Sequence, residues 1–128
     1  MARLYLLISA AGLTVVALSY GVAPATVLPQ LLDITVEGTD LTHVLRAIMG
    51  LYLGMIVLWV LGAFRPSLTR AAVIAEIAFM SGLAVGRVLS IVVDGMPSIA
   101  LVGYTGVEIA MAAWGMLVLK KGLIAPYA

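Results

Sequence analysis

Arg46, Glu76, Arg87 and Glu108 are ionisable side chains set inside runs of residues otherwise suited to hydrocarbon. One charge near the middle of a membrane-spanning helix costs roughly 2.5–3.5 kcal/mol on insertion scales, so such groups face a protein interior and pair. Three kinds of chemistry use that arrangement: an ion-pair network that holds helices in register, a polar head for an amphiphile, and a relay for protons or ions. The sequence offers no supported Ser-His-Asp set, no phosphate-cradling glycine loop and no cluster of metal ligands. No catalytic residue, metal site or cofactor is therefore expected.

Helical spacing sorts the polar residues into faces, because positions three, four, seven and eleven apart lie on one side. Glu76, Arg87, Ser90 and Asp94 share a stripe; so do His43, Arg46, Gly50 and Gly54, and likewise Tyr104, Glu108, Ala112 and Gly115. The three stripes are expected to converge on one interior. At 1.5 Å per residue Arg87 stands about 7 Å outward of its helix midpoint, within side-chain reach of Glu108. Arg46 and His43 lie higher, toward Asp94 or the acids Asp33, Glu37 and Asp40. With Tyr52 they complete the candidate ligand-binding or buried polar network: His43, Arg46, Tyr52, Arg87, Ser90, Asp94, Tyr104 and Glu108. Glu76 is a secondary, cytoplasmic-side acid that should reach for Arg70 or Lys120. His43 is the only histidine, which excludes a multi-histidine metal site or bis-histidine haem within one chain and points to hydrogen bonding near a helix start.

The elements that must position these residues are membrane helices. The chain is 64% hydrophobic and 10% charged, where soluble domains carry about a quarter charged residues, so the bilayer is read as its solvent. Four apolar runs, about 4–22, 41–64, 71–93 and 98–119, are each near the roughly 20 residues that cross a bilayer. They define an all-α polytopic integral membrane protein, a four-transmembrane-helix bundle with up-down-up-down order, in one domain spanning 1–128. The first run has the basic start and nearby small residues of a secretory signal, but its apolar stretch is longer than a usual signal core, which favours a retained helix. Arg65-Pro66-Ser67 breaks the second run from the third, with Ser67 as a cap, and Asp94-Gly95-Met96-Pro97 is a tight turn. Residues 23–40 hold two prolines, three acids and the segment Leu28-Pro29-Gln30-Leu31-Leu32, too apolar for a solvated loop. They are read as a periplasmic connection lying at the interface.

Arg3, Arg65, Arg70, Lys120 and Lys121 fall on one side of this arrangement, and Asp33, Glu37, Asp40 and Asp94 on the other. Cytoplasmic loops retain Lys and Arg, so both termini are expected in the cytoplasm. The pairs Gly50/Gly54 and Gly82/Gly86 have the spacing that lets helices approach closely and are expected to mark packing inside the bundle. Trp59 and Trp114 are read as interfacial anchors, and the seven methionines as fillers of packing gaps. A net charge of +1 without a basic aromatic patch excludes a nucleic-acid partner, and the absence of cysteine excludes disulfides and thiolate chemistry.

The run from Gly38 to Tyr52 (GTDLTHVLRAIMGLY), then Gly86-Arg87-Val88-Leu89-Ser90 with Asp94-Gly95-Met96-Pro97, then Glu108 and Trp114-Gly115, resembles the bacterial membrane proteins of the domain of unknown function 4345 family. The resemblance implies a four-helix inner-membrane protein with His43, Arg46, Arg87, Ser90, Asp94 and Glu108 at the family's polar motif positions. It implies no reaction. The expected role is a small non-enzymatic membrane protein, foremost a structural or accessory subunit packing against a larger membrane complex and surrounded by membrane lipids. The alternative is a protein that binds a lipophile (lipid, quinone or sterol-like amphiphile) at the polar interior, and the third reading is proton or ion conduction through Glu76 and Glu108.

Overall fold

The structure, a computed structural model, describes residues 1–124. It is all-α: α1 (Ala2–Gly21), α2 (Pro24–Leu31), α3 (Thr39–Phe64), α4 (Pro66–Asp94) and α5 (Ile99–Ile124), with no strand among the described residues. Helices α1, α3, α4 and α5 are long and apolar enough to cross a bilayer, which takes about 20 residues. Their residues are Leu-, Val-, Ile- and Ala-rich, so the backbone bonds to itself while side chains supply the packing.

The breaks follow backbone chemistry. Arg65 alone separates α3 from α4, in an extended conformation (φ −119°, ψ 106°). Pro66 occupies the first position of α4, where a missing N–H costs no helical bond. The helix thus starts five residues before the sequence pattern placed it, and Ser67 makes no capping hydrogen bond. Thr69 does the local work instead, its hydroxyl donating to the Gly62 carbonyl at 2.6 Å and approaching that of Arg65 at 3.2 Å. At the other end Gly95 (φ +97°) closes α4 in a region that only glycine enters freely.

The connection between α1 and α3 contains a helix of its own. Pro24 starts α2, and Leu28, Leu32 and Val36 from this segment bury against Tyr20, Leu45, Ala100 and Leu101. The Asp33 backbone N–H donates to the Ser98 hydroxyl (3.1 Å), tying the connection to the start of α5. The apolar Leu-Pro-Gln-Leu-Leu segment is therefore a packed cover over one end of the helices.

Helix α1 packs mainly on α3, α3 on α4, and α4 on α5. An aromatic chain crosses the core: Tyr20 to Tyr52 (6.0 Å between ring centres), Tyr52 to Phe79 (5.3 Å) and Phe79 to Trp59 (5.4 Å). The last two contacts are edge-to-face, the arrangement that the ring quadrupole favours. Trp59 has no exposed surface, so it is a core residue and not the interfacial anchor its position suggested. Trp114 is half-buried, edge-on to Tyr5 at 5.1 Å.

Close approach occurs at glycines other than those with the expected spacing. A side chain at Gly21 would strike Met49, one at Gly62 would strike Ala72, and one at Gly115 would strike Tyr5 and Ile77. By contrast, a methyl group at Gly50, Gly54, Gly82 or Gly86 would meet nothing within 4 Å. The reason is rotational: Tyr52 is the side of α3 that turns inward, which leaves Gly50 and Gly54 outside. Gly82 and Gly86 are exposed and line an open cavity.

Overpacking a tight contact costs about 1–3 kcal/mol, whereas Gly to Ala in an unobstructed helix is neutral or favourable. Gly115→Leu is accordingly expected to lower the thermal midpoint of the detergent-purified protein, while Gly54→Ala leaves it unchanged or raises it. Circular dichroism melting of the two variants beside the parent checks both.

Candidate functional site

Arg87 on α4 and Glu108 on α5 meet at the centre of the site. The Nε–H of Arg87 donates to both carboxylate oxygens, at 2.9 and 2.8 Å. The pair is largely withdrawn from solvent, with side-chain exposures of 20% and 9%. In that setting a carboxylate and a guanidinium attract far more strongly than in water, and each relieves the other's burial cost. The α5 register that delivers Glu108 is fixed farther along by Gly115, which admits the Tyr5 ring from α1. The Tyr5 hydroxyl then donates to the Met111 carbonyl (3.0 Å).

Two cavities adjoin the pair. The larger, about 490 Å³, lies beneath α2 and is walled by apolar residues such as Leu28, Ile34, Leu45, Ile48 and Leu101, with Gly82 and Gly86 as its floor. The smaller, about 260 Å³, lies between α1 and the α4–α5 pair, where Ile8, Gly12, Leu13, Val16 and Met111 line it. Tyr52, Leu83 and Arg87 belong to both linings. Arg87 is thus a polar junction between two apolar spaces.

The guanidinium uses little of its donor capacity. Its Nε makes the close hydrogen bonds, both to Glu108, and the Tyr20 hydroxyl is the one further acceptor beside it among the described residues. Its carbon stands 5.8 Å from the centre of the Tyr104 ring. Tyr20 and Tyr52 are further neighbours of the pair.

Of the expected network, Tyr52, Arg87, Tyr104 and Glu108 come together; the other members do not. Arg46 is exposed and donates from a terminal nitrogen to the Gly21 carbonyl (2.8 Å), so it caps the end of α1 and pairs with no acid. His43 is exposed beside Thr39, Thr42 and Arg46 in a shallow surface depression. The stripe His43-Arg46-Gly50-Gly54 therefore faces outward, because the inward register of α3 is set by Tyr52 and Trp59. Ser90 lines the rim of the larger cavity but donates to Asp94 (2.8 Å), both exposed at the end of α4.

Glu76 differs more sharply from expectation. It has no exposed surface and reaches neither Arg70 nor Lys120; among the described residues both carboxyl oxygens lack a hydrogen-bond partner, as does the Trp59 indole nitrogen. The hydroxyls of Tyr5 and Ser9 are neighbours, yet Tyr5 donates to Met111 and Ser9 to the Tyr5 carbonyl (2.9 Å). Among the described residues no three of His, Cys, Asp and Glu gather as metal ligands.

Tyr20 and Ser9 are absent from the expected network. Tyr5, Ser9, Leu13, Val16 and Tyr20 recur at three- and four-residue steps, and that periodicity is the signal for the inward face of α1.

These features define a class: an all-α protein whose four long apolar helices surround a buried Arg–Glu pair flanked by apolar cavities. The chain belongs to the family described as domain of unknown function (DUF4345), whose family model matches residues 1–119. Neither a curated protein nor a solved structure shows significant similarity to it.

Removing one partner of a buried pair strands the other charge, whereas replacing both with apolar residues is often neutral. Arg87→Met or Glu108→Met alone is expected to destabilise by up to about 3 kcal/mol, and the double variant by distinctly less. A double-mutant cycle on unfolding in mixed micelles measures the difference.

Proposed function

We propose that the protein is an integral membrane protein that binds a lipophile (a lipid, quinone or sterol-like amphiphile) in its helical bundle, with the head at Arg87 and the apolar part in the adjoining cavities. One observation carries the reading: two apolar cavities share a single charged residue whose terminal N–H groups have, apart from the neighbouring Tyr20 hydroxyl, no acceptor among the described residues. Ligand sites are concave, of about 300–1,000 Å³, mostly apolar and punctuated by a few polar groups. A plug made only to lock helices would fill that volume with side chains, since interiors pack closely.

The accompanying arrangement is a bacterial inner-membrane bundle, α1, α3, α4 and α5 alternating in direction. Support comes from both ends of the α1–α3 pair: the Arg3 guanidinium lies 4.4 Å from the Phe64 ring, and Gly21 abuts Met49. The basic residues Arg3, Arg65, Arg70, Lys120 and Lys121 favour cytoplasmic termini. Helix α2 then lies at the periplasmic interface, above the larger cavity. A reporter fused to the C-terminus that is active only in the cytoplasm should be active; activity of a periplasm-dependent reporter there contradicts this orientation.

A second reading, docking against a larger membrane complex as an accessory subunit, draws on the outward face of α3. A side chain added at Gly50 or Gly54 would meet nothing within 4 Å among the described residues, so this face would let another helix approach.

Native mass spectrometry of protein extracted from its own membranes, followed by analysis of co-purifying lipids, tests the leading proposal. A stoichiometric small amphiphile should be recovered and be lost from Arg87→Ala. Gly82→Leu, which projects into the larger cavity, should also lose it while keeping the parental melting temperature. Bulk phospholipid only, unchanged by either substitution, contradicts lipophile binding. A stable co-purifying protein that is lost from Gly50→Leu would favour the accessory reading.

A further inference from the structure

We propose that the site selects a neutral lipophile whose head is a planar ring bearing carbonyl acceptors, a quinone-class head, over an anionic lipid or fatty acid. The inference rests on the lipophile-binding reading and adds the chemistry of the head.

Charge accounting is the first argument. Glu108 already meets Arg87 at 2.8 Å, so the pair is formally neutral, and no other Lys or Arg lines either cavity. An incoming carboxylate or phosphate would share one guanidinium with a fixed carboxylate in a low-dielectric space. The repulsion between the two anions offsets much of the attraction. A neutral head meets no such penalty.

The hydrogen-bond inventory is the second argument. Guanidinium N–H groups can only donate, and those beyond Nε have the Tyr20 hydroxyl as their one neighbouring acceptor among the described residues, which leaves most of them free. Among the described residues the hydroxyls of Tyr20, Tyr52 and Tyr104 donate no hydrogen bond, whereas the hydroxyls of Ser9, Ser90 and Thr105 already donate to Tyr5, Asp94 and Leu101. The free polar capacity around the junction is therefore dominated by donors. A ligand that brings acceptors without donors satisfies it, and a ring carbonyl is such a group.

Shape is the third argument. Tyr20 and Tyr52 present rings 6.0 Å apart at 55° on the larger cavity, and Tyr104 lines the smaller beside the guanidinium. Flat aromatic walls favour a flat head through offset or edge contacts. The apolar walls under α2 accept a hydrocarbon tail.

The test is equilibrium binding to the purified full chain in non-ionic micelles, at a pH where oleate is ionised. The probes are radiolabelled decylubiquinone, oleate and methyl oleate, the last a neutral carbonyl compound without a ring. The parent protein should bind the quinone about tenfold or more tightly than oleate, the scale of one or two hydrogen bonds to a charged group, with methyl oleate weaker than the quinone. Glu108→Gln, which leaves the guanidinium uncompensated, should raise the affinity for oleate relative to the quinone. Oleate binding the parent as tightly as the quinone overturns the neutral-head inference while lipophile binding stands, and methyl oleate equal to the quinone overturns the ring. No saturable binding of any probe above empty micelles removes the underlying reading as well. Should Glu108→Gln fail to fold, the ranking of the three probes on the parent protein decides.

Discussion

The contact between the Arg87 Nε–H and the Glu108 carboxylate is the constraint around which the rest is arranged. Neither charge is tolerable alone among apolar helices, so α4 and α5 must adopt the one relative register that joins them. The carboxylate takes a single N–H from the guanidinium. What remains is a neutralised pair that still carries strong donors, which is a different object from a lone cation and from a closed salt bridge.

Packing around that pair is uneven. At Gly62 and Gly115 the chain forgoes side chains so that Ala72 and Tyr5 can enter. At Gly12, Gly82 and Gly86 it forgoes them and nothing enters, and those positions line the cavities. The same residue type serves contact in one place and vacancy in another, and only the facing helix decides which. The aromatic chain from Tyr20 to Trp59 fills the core between these regions, and Tyr52 within it lines both cavities.

The helices and the central pair were legible in the sequence for a plain reason: apolar runs report span length, and depth along a helix follows from residue number. Pro66 was visible as a break and as a residue suited to a first helical turn, and α4 does start there; the apolar run begins only at about residue 71, since hydropathy does not register the polar first turn. Rotation was less legible. A stripe such as His43-Arg46-Gly50-Gly54 states which residues share a face, but the direction of that face depends on what α3 packs against, and Tyr52 and Trp59 win that competition by burying more surface. Arg46 was misread because the carbonyl it caps, that of Gly21, lies on another helix: the apolar run placed that helix end, but not which side chain of α3 stands beside it. Glu76 was misread because reach alone permits a partner at the rim, whereas its helix turns it into the core. Tyr20 passed unnoticed because tyrosine near a helix end is ordinary until a guanidinium is found beside it.

Nitrogen-detected magnetic resonance of Arg87 in the micelle-embedded protein reads the Arg87–Glu108 contact itself. The expected result is an Nε–H that exchanges slowly with water and whose resonance moves on Glu108→Gln, together with terminal guanidinium resonances that shift when a short-chain quinone is added. An Nε–H exchanging as fast as that of free arginine, and indifferent to Glu108→Gln, would contradict it.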